Sequence, residues 1–217
     1  IDYGGNIVKK LSLGNQNLTY FAKEPYYYYI SEVKNEEILS ISNLKFGTIY
    51  LLEKDFKAEV EILDTNLEQM RTGDSIQFQN TTLKVKIRNG NANFLIAGVE
   101  GKLDSEAKGI ELNRNEKLYK VNKPWGNEIW INGEHFAYAF KRIFIKKGYK
   151  TSLQYHKLKQ ETNVLIKGKA NLHYKSSSKV DNDNVSNCDI DQILLTSISS
   201  VDVRPFILHR LEAITDI

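Results

Sequence analysis

The sequence predicts an all-β protein, a sandwich or barrel, on three observations. Short β-branched or aromatic runs recur along the chain, clusters of Gly, Asn and Asp separate them, and only three prolines interrupt them. In the first half the strands are expected at "FGTIYLLE" (46–53), "KAEVEIL" (57–63), "SIQFQ" (75–79), "TLKVKIR" (82–88) and "NFLIAGV" (93–99). Ahead of them, "EPYYYYISEV" (24–33) carries four consecutive tyrosines, read as a strand alternating Tyr between core and surface in preference to a sugar-stacking platform. "EEILSISN" (36–43) has the length of a short helix, but no decisive cap precedes it and its assignment stays open. In the second half "FAYAFKRIFIKK" (136–147), "KTSLQYHKL" (150–158), "TNVLIKG" (162–168), "KANLHYK" (169–175) and "DQILLTSI" (191–198) repeat the rhythm. "KSSSKVDNDNVSNCD" (175–189) is poor in apolar residues and reads as a mobile hairpin loop, its aspartates lacking calcium-loop spacing.

A boundary is expected near 104–122, where the chain turns polar and loses strand alternation before Pro124-Trp125-Gly126. It divides the chain into 1–110 and 111–217. At 217 residues, 41% hydrophobic and 26% charged, either two small domains or one large one can bury a core. The net charge of +3 is small and the lysines are interspersed with glutamates, which argues against nucleic acid as partner. No run approaches the roughly 18 apolar residues of a membrane helix, and residues 1–10 lack the apolar core of a secretory signal. A single cysteine, Cys188, excludes an internal disulfide or a cysteine-based zinc knuckle. The cytoplasm is the expected location.

All four histidines, at 135, 156, 173 and 209, fall in the second half. On a strand Gln154 and His156 would share one face, about 6–7 Å apart along the chain. Glu161 follows a short turn on the returning strand, and His209 follows Pro205 near the C-terminus. Imidazole, carboxylate and amide oxygen form a mixed N/O set that suits zinc, manganese, iron(II) or nickel and disfavours copper(I). Such an ion, with coordination positions left open, acts as a Lewis acid on a carbonyl or hydroxyl oxygen. The alternative is that His156 and His209 are separate core histidines satisfied by backbone.

The spacing from Gly148 through Gln154, His156 and Glu161 to Gly168 resembles the first signature motif of the cupin superfamily, with Gln in place of its leading His. "RPFILHRLE" is similar to the second motif. With "NKPWGNEIWI", "FKRIFIKKGYKTSLQYHKLKQE" and "RPFILHRLEA", residues 120–217 resemble the cupin domain of type II mannose-6-phosphate isomerases, including those fused to mannose-1-phosphate guanylyltransferases. The resemblance implies a double-stranded β-helix, or jelly-roll, barrel. The first half would be a degenerate, metal-free cupin, making the chain a bicupin; another small β domain is the alternative there. The resemblance further implies a divalent ion, zinc first with manganese, iron or nickel as alternatives, held by Gln154, His156, Glu161 and His209. It implies interconversion of an aldose and a ketose phosphate, with mannose 6-phosphate and fructose 6-phosphate the leading pair.

Departures from the family accompany the likeness. Lys157, Leu158, Lys159 and Gln160 stand where the family carries an arginine and further histidines, and Phe206 replaces a usual glycine. The family continues beyond the position of Ile217 into a further strand, so another segment or subunit is expected to complete the barrel. Arg142, Lys159 and Arg210 are candidates for the substrate phosphate, although alternation turns Arg210 away from His209. No general base is identified among His135, Lys147 and Glu212, and His173 is expected to be structural. The competing readings are a non-catalytic sugar-binding cupin, a sugar-nucleotide epimerase and an iron-dependent dioxygenase, which fold alone does not separate. The expected partner is a small-molecule sugar phosphate, without nucleic acid or membrane, and exposed sheet edges allow a homodimer.

Overall fold

The computed structural model describes residues 2–3, 6–10, 20–23, 26–42, 44–101, 109–132, 138–175 and 190–217. His135 and the expected loop at 176–189 lie outside the described residues. The described chain is almost entirely β. It divides into two compact units whose segments interleave, where the sequence reading places one boundary between 110 and 111. A C-terminal unit comprises Ile1–Ser12, Val121–Glu128 and Ile143–Ile217, and a central unit comprises Leu13–Lys120 and Ile129–Arg142.

Strands β1 (Asp2–Tyr3) and β2 (Asn6–Lys10) open the chain. The central unit then runs through β3 (Tyr20–Lys23), β4 (Tyr26–Val33), β5 (Ile38–Ile41), β6 (Leu44–Lys54), β7 (Glu59–Ile62), β8 (Ser75–Gln79), β9 (Leu83–Arg88), β10 (Ala92–Glu100) and β11 (Gly109–Asn113). Six of these form an antiparallel sheet in the order β11-β8-β6-β10-β4-β3, and three form a second, β5-β9-β7. The alternation that predicts them is visible in burial: Leu83, Val85 and Ile87 of β9 are buried while Lys84 is exposed and Lys86 and Arg88 stay partly so. The segment open between helix and strand is β5. Ile38 and Ser40 face solvent and Leu39 and Ile41 are buried, the period of a strand. Between the sheets Ile49, Leu51, Ile76, Phe78, Phe94 and Ile96 build an apolar core. Burial raises the Tyr29 hydroxyl to about 12, so it stays protonated.

The chain passes between the units within β12 (Tyr119–Lys123), β13 (Gly126–Trp130) and β14 (Lys141–Ile145), preceded by a short 3-10 turn, Asn115–Lys117. At Gly126 a Cβ would lie 1.9 Å from the carbonyl oxygen of Phe144, so the glycine of the Pro-Trp-Gly motif permits a close backbone approach that no side chain allows.

The C-terminal unit continues with β15 (Glu161–Leu165), β16 (Lys169–Lys175), β17 (Asp191–Thr196), β18 (Ser199–Val203) and β19 (Leu208–Ala213). Its sheets are β1-β2-β18-β15 and β17-β16-β19. Residues 6–10 extend the sheet beside β18, with Val8 opposite Val201 and Lys10 opposite Ser199. Leu165, Leu172, Tyr174, Leu195, Val201 and Val203 are among the residues of its apolar core. Gly168, which closes the first motif, turns the chain into β16 at φ +85°, and a Cβ there would lie 2.4 Å from Thr215 Oγ1. Among the described residues no helix is long and apolar enough to cross a membrane.

Candidate metal centre

One expected strand is not regular. "KTSLQYHKL" pairs only at two isolated bridges, Lys150 with Glu212 and Gln154 with His209. Four steps on one side oppose three on the other, so the segment carries an extra residue, a bulge that re-aims the side chains after it. Lys150 thereby stands on the side of Glu212, and its ammonium lies 3.1 Å from that carboxylate. Gln154 stands on the side of His209. Their backbones exchange two hydrogen bonds, Gln154 N–H to His209 O at 3.0 Å and His209 N–H to Gln154 O at 2.8 Å. Farther along, the Phe206 N–H donates to His156 O at 2.8 Å. Backbone hydrogen bonds therefore hold residues 154–156 against 206–209.

These pairings, with Glu161 at the start of β15, bring three of the expected ligands together. The ligating atoms of His156, Glu161 and His209 all lie within 4.8 Å of one another. His209 Nε2 is 3.1 Å from Glu161 Oε2, and His156 Nε2 is 3.1 Å from Glu161 Oε1. The two imidazole centroids are 5.7 Å apart at an interplanar angle of 59°. Gln154, the fourth expected ligand, is exposed and is joined to His209 through its backbone.

The donor chemistry fits a cation. His209 is 3% exposed, and its Nδ1 lies 2.9 Å from the carbonyl oxygen of Ile207, which can only accept; Nδ1 therefore carries the proton. In the neutral ring Nε2 then presents a lone pair to Glu161, itself an acceptor. That contact is favourable only with a second proton on the ring or a cation shared between the two groups. The other imidazole gives the same indication: His156 Nε2 is buried and has no hydrogen-bond partner, despite its closeness to Glu161. An acceptor fixed by a backbone carbonyl, a second buried nitrogen without a partner and a carboxylate between them are the features of a metal-binding triad with its tautomer set from outside.

Burial pushes the Glu161 carboxyl upward, but the hydrogen bond from His209 and the Lys159 ammonium outweigh it and hold the group at about 2. Glu161 is accordingly ionised at neutral pH. Lys159, half exposed, ion-pairs with Glu161 Oε1, which places this phosphate candidate at the cluster. The other two candidates have different partners and surroundings. Arg210 lies on the opposite face of β19 from His209, across from His173, with its Nε buried and without a hydrogen-bond partner. Arg142 belongs to the central unit, where its guanidinium donates to the Tyr50 hydroxyl at 3.0 Å.

His173 has the structural partner that its sequence neighbours do not supply. Its Nε2 is 2.6 Å from Glu212 Oε2, across two paired strands. That hydrogen bond, with Lys150, holds the Glu212 carboxyl below its ordinary value. Glu212, one of the bases considered, is thus engaged on the far face of the sheet from His209. The Ile207 carbonyl that orients His209 left no signal in the sequence, because a backbone acceptor has no residue type.

Antiparallel sheets closed over an apolar interior give the C-terminal unit a cupin fold, and comparison with solved structures shows the same fold. A solved IolB-like protein of Salmonella typhimurium LT2 aligns over 96% of this chain and 89% of its own, with a TM-score of 0.66 and 12% identity. The Lactobacillus farciminis oxalate decarboxylase formate complex aligns over 89% of this chain and 74% of its own, with a TM-score of 0.65 and 11% identity. A Bacillus subtilis oxalate decarboxylase structure concerned with Mn(II) centres aligns over 88% of this chain and 66% of its own, with a TM-score of 0.61 and 13% identity. At these identities the likeness is one of fold, and the chain spans 66% of the length of the Bacillus enzyme. No curated protein sequence matches. Residues 111–216, just under half of the chain, match the family model described as mannose-6-phosphate isomerase C-terminal.

Proposed function

We propose that the protein is a metal-dependent aldose–ketose isomerase acting on a sugar phosphate, with mannose 6-phosphate and fructose 6-phosphate as the pair. The observation that carries this reading is the convergence of His156, Glu161 and His209 within a domain that matches the mannose-6-phosphate isomerase C-terminal family. Those three side chains would hold a divalent ion, zinc foremost, with the Gln154 amide as fourth ligand. When bound, the ion would polarise the substrate's carbonyl and hydroxyl oxygens and stabilise negative charge developing on them.

The chain's own residues define the rest. His209 is oriented by Ile207 O with Nε2 turned toward Glu161 and available to ligate an ion shared with it, so it orients the site without carrying the substrate's proton. Glu161, ionised through the neutral range, supplies the negative charge that makes a cation favourable in a half-buried position. Lys159 shares Glu161 in the metal-free arrangement; with Glu161 engaged as a ligand, its exposed ammonium becomes available to a phosphate. A cytoplasmic location accords with such a substrate.

Elemental analysis of the purified protein, followed by a coupled assay for fructose 6-phosphate formed from mannose 6-phosphate with and without chelator, tests the reading. Stoichiometric divalent metal with chelator-sensitive turnover is expected. Metal without turnover overturns the isomerase in favour of a sugar-binding cupin or another cupin enzyme. Absence of metal overturns the site itself.

A further inference from the structure

Phe206 stands at φ +66°. The left-handed region is one that bulky side chains rarely adopt, and a residue held there carries strain that the surrounding structure must sustain. Its place explains the angle. Ile207 N–H reaches back to Arg204 O at 3.3 Å, closing a turn with Pro205 at its second position and Phe206 at its third. Proline second with positive φ third is the pattern of a type II turn, whose third position favours glycine.

Folding gains little from placing a phenyl group there, because Phe206 remains 52% exposed. The turn nevertheless sits beside the metal triad. The Phe206 N–H donates to the carbonyl of His156, Ile207 O orients His209, and His209 itself is three residues on. Across that hydrogen bond the chain continues to Leu158, 95% exposed, and to Lys159 on Glu161. The backbone positions that carry a strained, solvent-exposed aromatic ring and an exposed aliphatic side chain therefore adjoin those of the three ligands, and a lysine contacts Glu161 itself.

From this we infer that Phe206 is a substrate-contacting platform, its ring receiving the apolar C–H face of a sugar whose oxygens are directed to the triad and whose anionic group is within the province of Lys159. The inference rests on the isomerase reading for its choice of sugar and deepens it by assigning a specificity-determining residue. Aromatic rings present a broad apolar face with few rotamers to freeze, which suits the flat face of a pyranose. The same turn built with glycine would orient His209 equally well and lack the contact.

The test compares metal-loaded wild type with Phe206→Gly and Phe206→Tyr. Glycine relieves the strain and keeps the turn, so the variant should fold, retain its metal and show an unfolding midpoint no lower than wild type. Its KM for mannose 6-phosphate should rise about tenfold with kcat changed less than about twofold, and tyrosine should restore KM. A purely structural role would shift the midpoint and leave KM where it was, which overturns the inference. If wild type shows no turnover the isomerase reading fails separately, and saturation-transfer NMR with mannose, mannose 6-phosphate and fructose 6-phosphate then decides. Sugar-ring signals present with wild type and lost in Phe206→Gly uphold the platform. No sugar signal with wild type, or equal signals in both, overturns it.

Discussion

The two compact units solve the same problem, closing antiparallel sheets over an interior, with different materials. Among the described residues the apolar cluster of the central unit counts eighteen buried residues, while that of the C-terminal unit counts eight. The difference is not simply size. Where the central unit buries Ile49, Ile76, Phe94 and Ile96 at or near zero exposure, the C-terminal unit commits interior positions to His209 and, half-buried, to His156 and Glu161. Buried charge and imidazole stabilise a fold only when paired, and removing one partner leaves the other desolvated. The C-terminal unit thus sets a polar triad where the central unit sets apolar side chains, and its stability should depend more strongly on pH and divalent ions than that of the central unit.

The largest effects should come from the packed core. Phe94→Ala in the central unit is expected to destabilise by about 3–5 kcal/mol, since a fully buried ring leaves a cavity between two sheets. Denaturant titration followed by circular dichroism measures it. Leu172→Ala, the matching change at a fully buried position of the C-terminal unit, should cost about 2–5 kcal/mol without metal and be partly offset when metal is added. If added metal rescues Phe94→Ala as well as it rescues Leu172→Ala, the two units do not differ in the way argued.

Metal is the next lever. At a concentration one hundred times its dissociation constant, a divalent ion should add about 2.7 kcal/mol to the C-terminal unit. His156→Ala and His209→Ala should each abolish most of that gain, because each removes one of the few protein ligands. Differential scanning calorimetry with and without chelator, alongside elemental analysis, reads both quantities. Retention of full metal occupancy in both variants would show that the triad is an ion-pair network only.

Acid should act in the same place. The folded Glu161 carboxyl is held at about 2, below its ordinary value of 4.5. A group depressed in this way contributes stability above the unfolded pKa and loses it as pH falls through the folded one. For the metal-free protein the window is therefore from about pH 4.5 down to about 2, and the contribution is on the order of 2–3 kcal/mol. Stability measured across that range should fall more steeply in wild type than in Glu161→Gln. Parallel curves for the two proteins would mean that the His209 and Lys159 contacts do not set the ionisation of Glu161.

How far the sequence disclosed this arrangement depends on the range of the forces involved. Strands β8 and β16 were legible to the residue, because a period of two along "SIQFQ" and "KANLHYK" reflects local burial. The strand β5 was ambiguous because a segment of that length satisfies both periods. Residues 150–158 read as a strand and are instead two bridges around a bulge, since register is set by the partner and not by the segment itself. The pairing of Asn6–Lys10 with β18 joins parts of the chain that only tertiary structure brings together, and no local pattern announces it. At the site, His156, Glu161 and His209 are singled out by their resemblance to the cupin motifs, and the fold brings these three together. Arg142 and Arg210 are positively charged in the right half of the chain, but charge alone says nothing about the face on which a side chain stands.

The smallest effect concerns Phe206, and it separates strain from contact. Phe206→Asn and Phe206→Ala both remove the ring, so they lose the same apolar surface to a first approximation. They differ in backbone preference: asparagine adopts positive φ several times more readily than other non-glycine residues, and alanine does not. With the turn held at φ +66°, the asparagine variant should be more stable than the alanine variant by about 0.5–1 kcal/mol. Chemical denaturation of the two, in the presence of chelator so that metal plays no part, measures the difference. Equal stabilities would mean that the turn relaxes when the ring is removed. The left-handed angle would then be imposed by the ring's own surroundings and would no longer be a property of a turn built for glycine and occupied by phenylalanine.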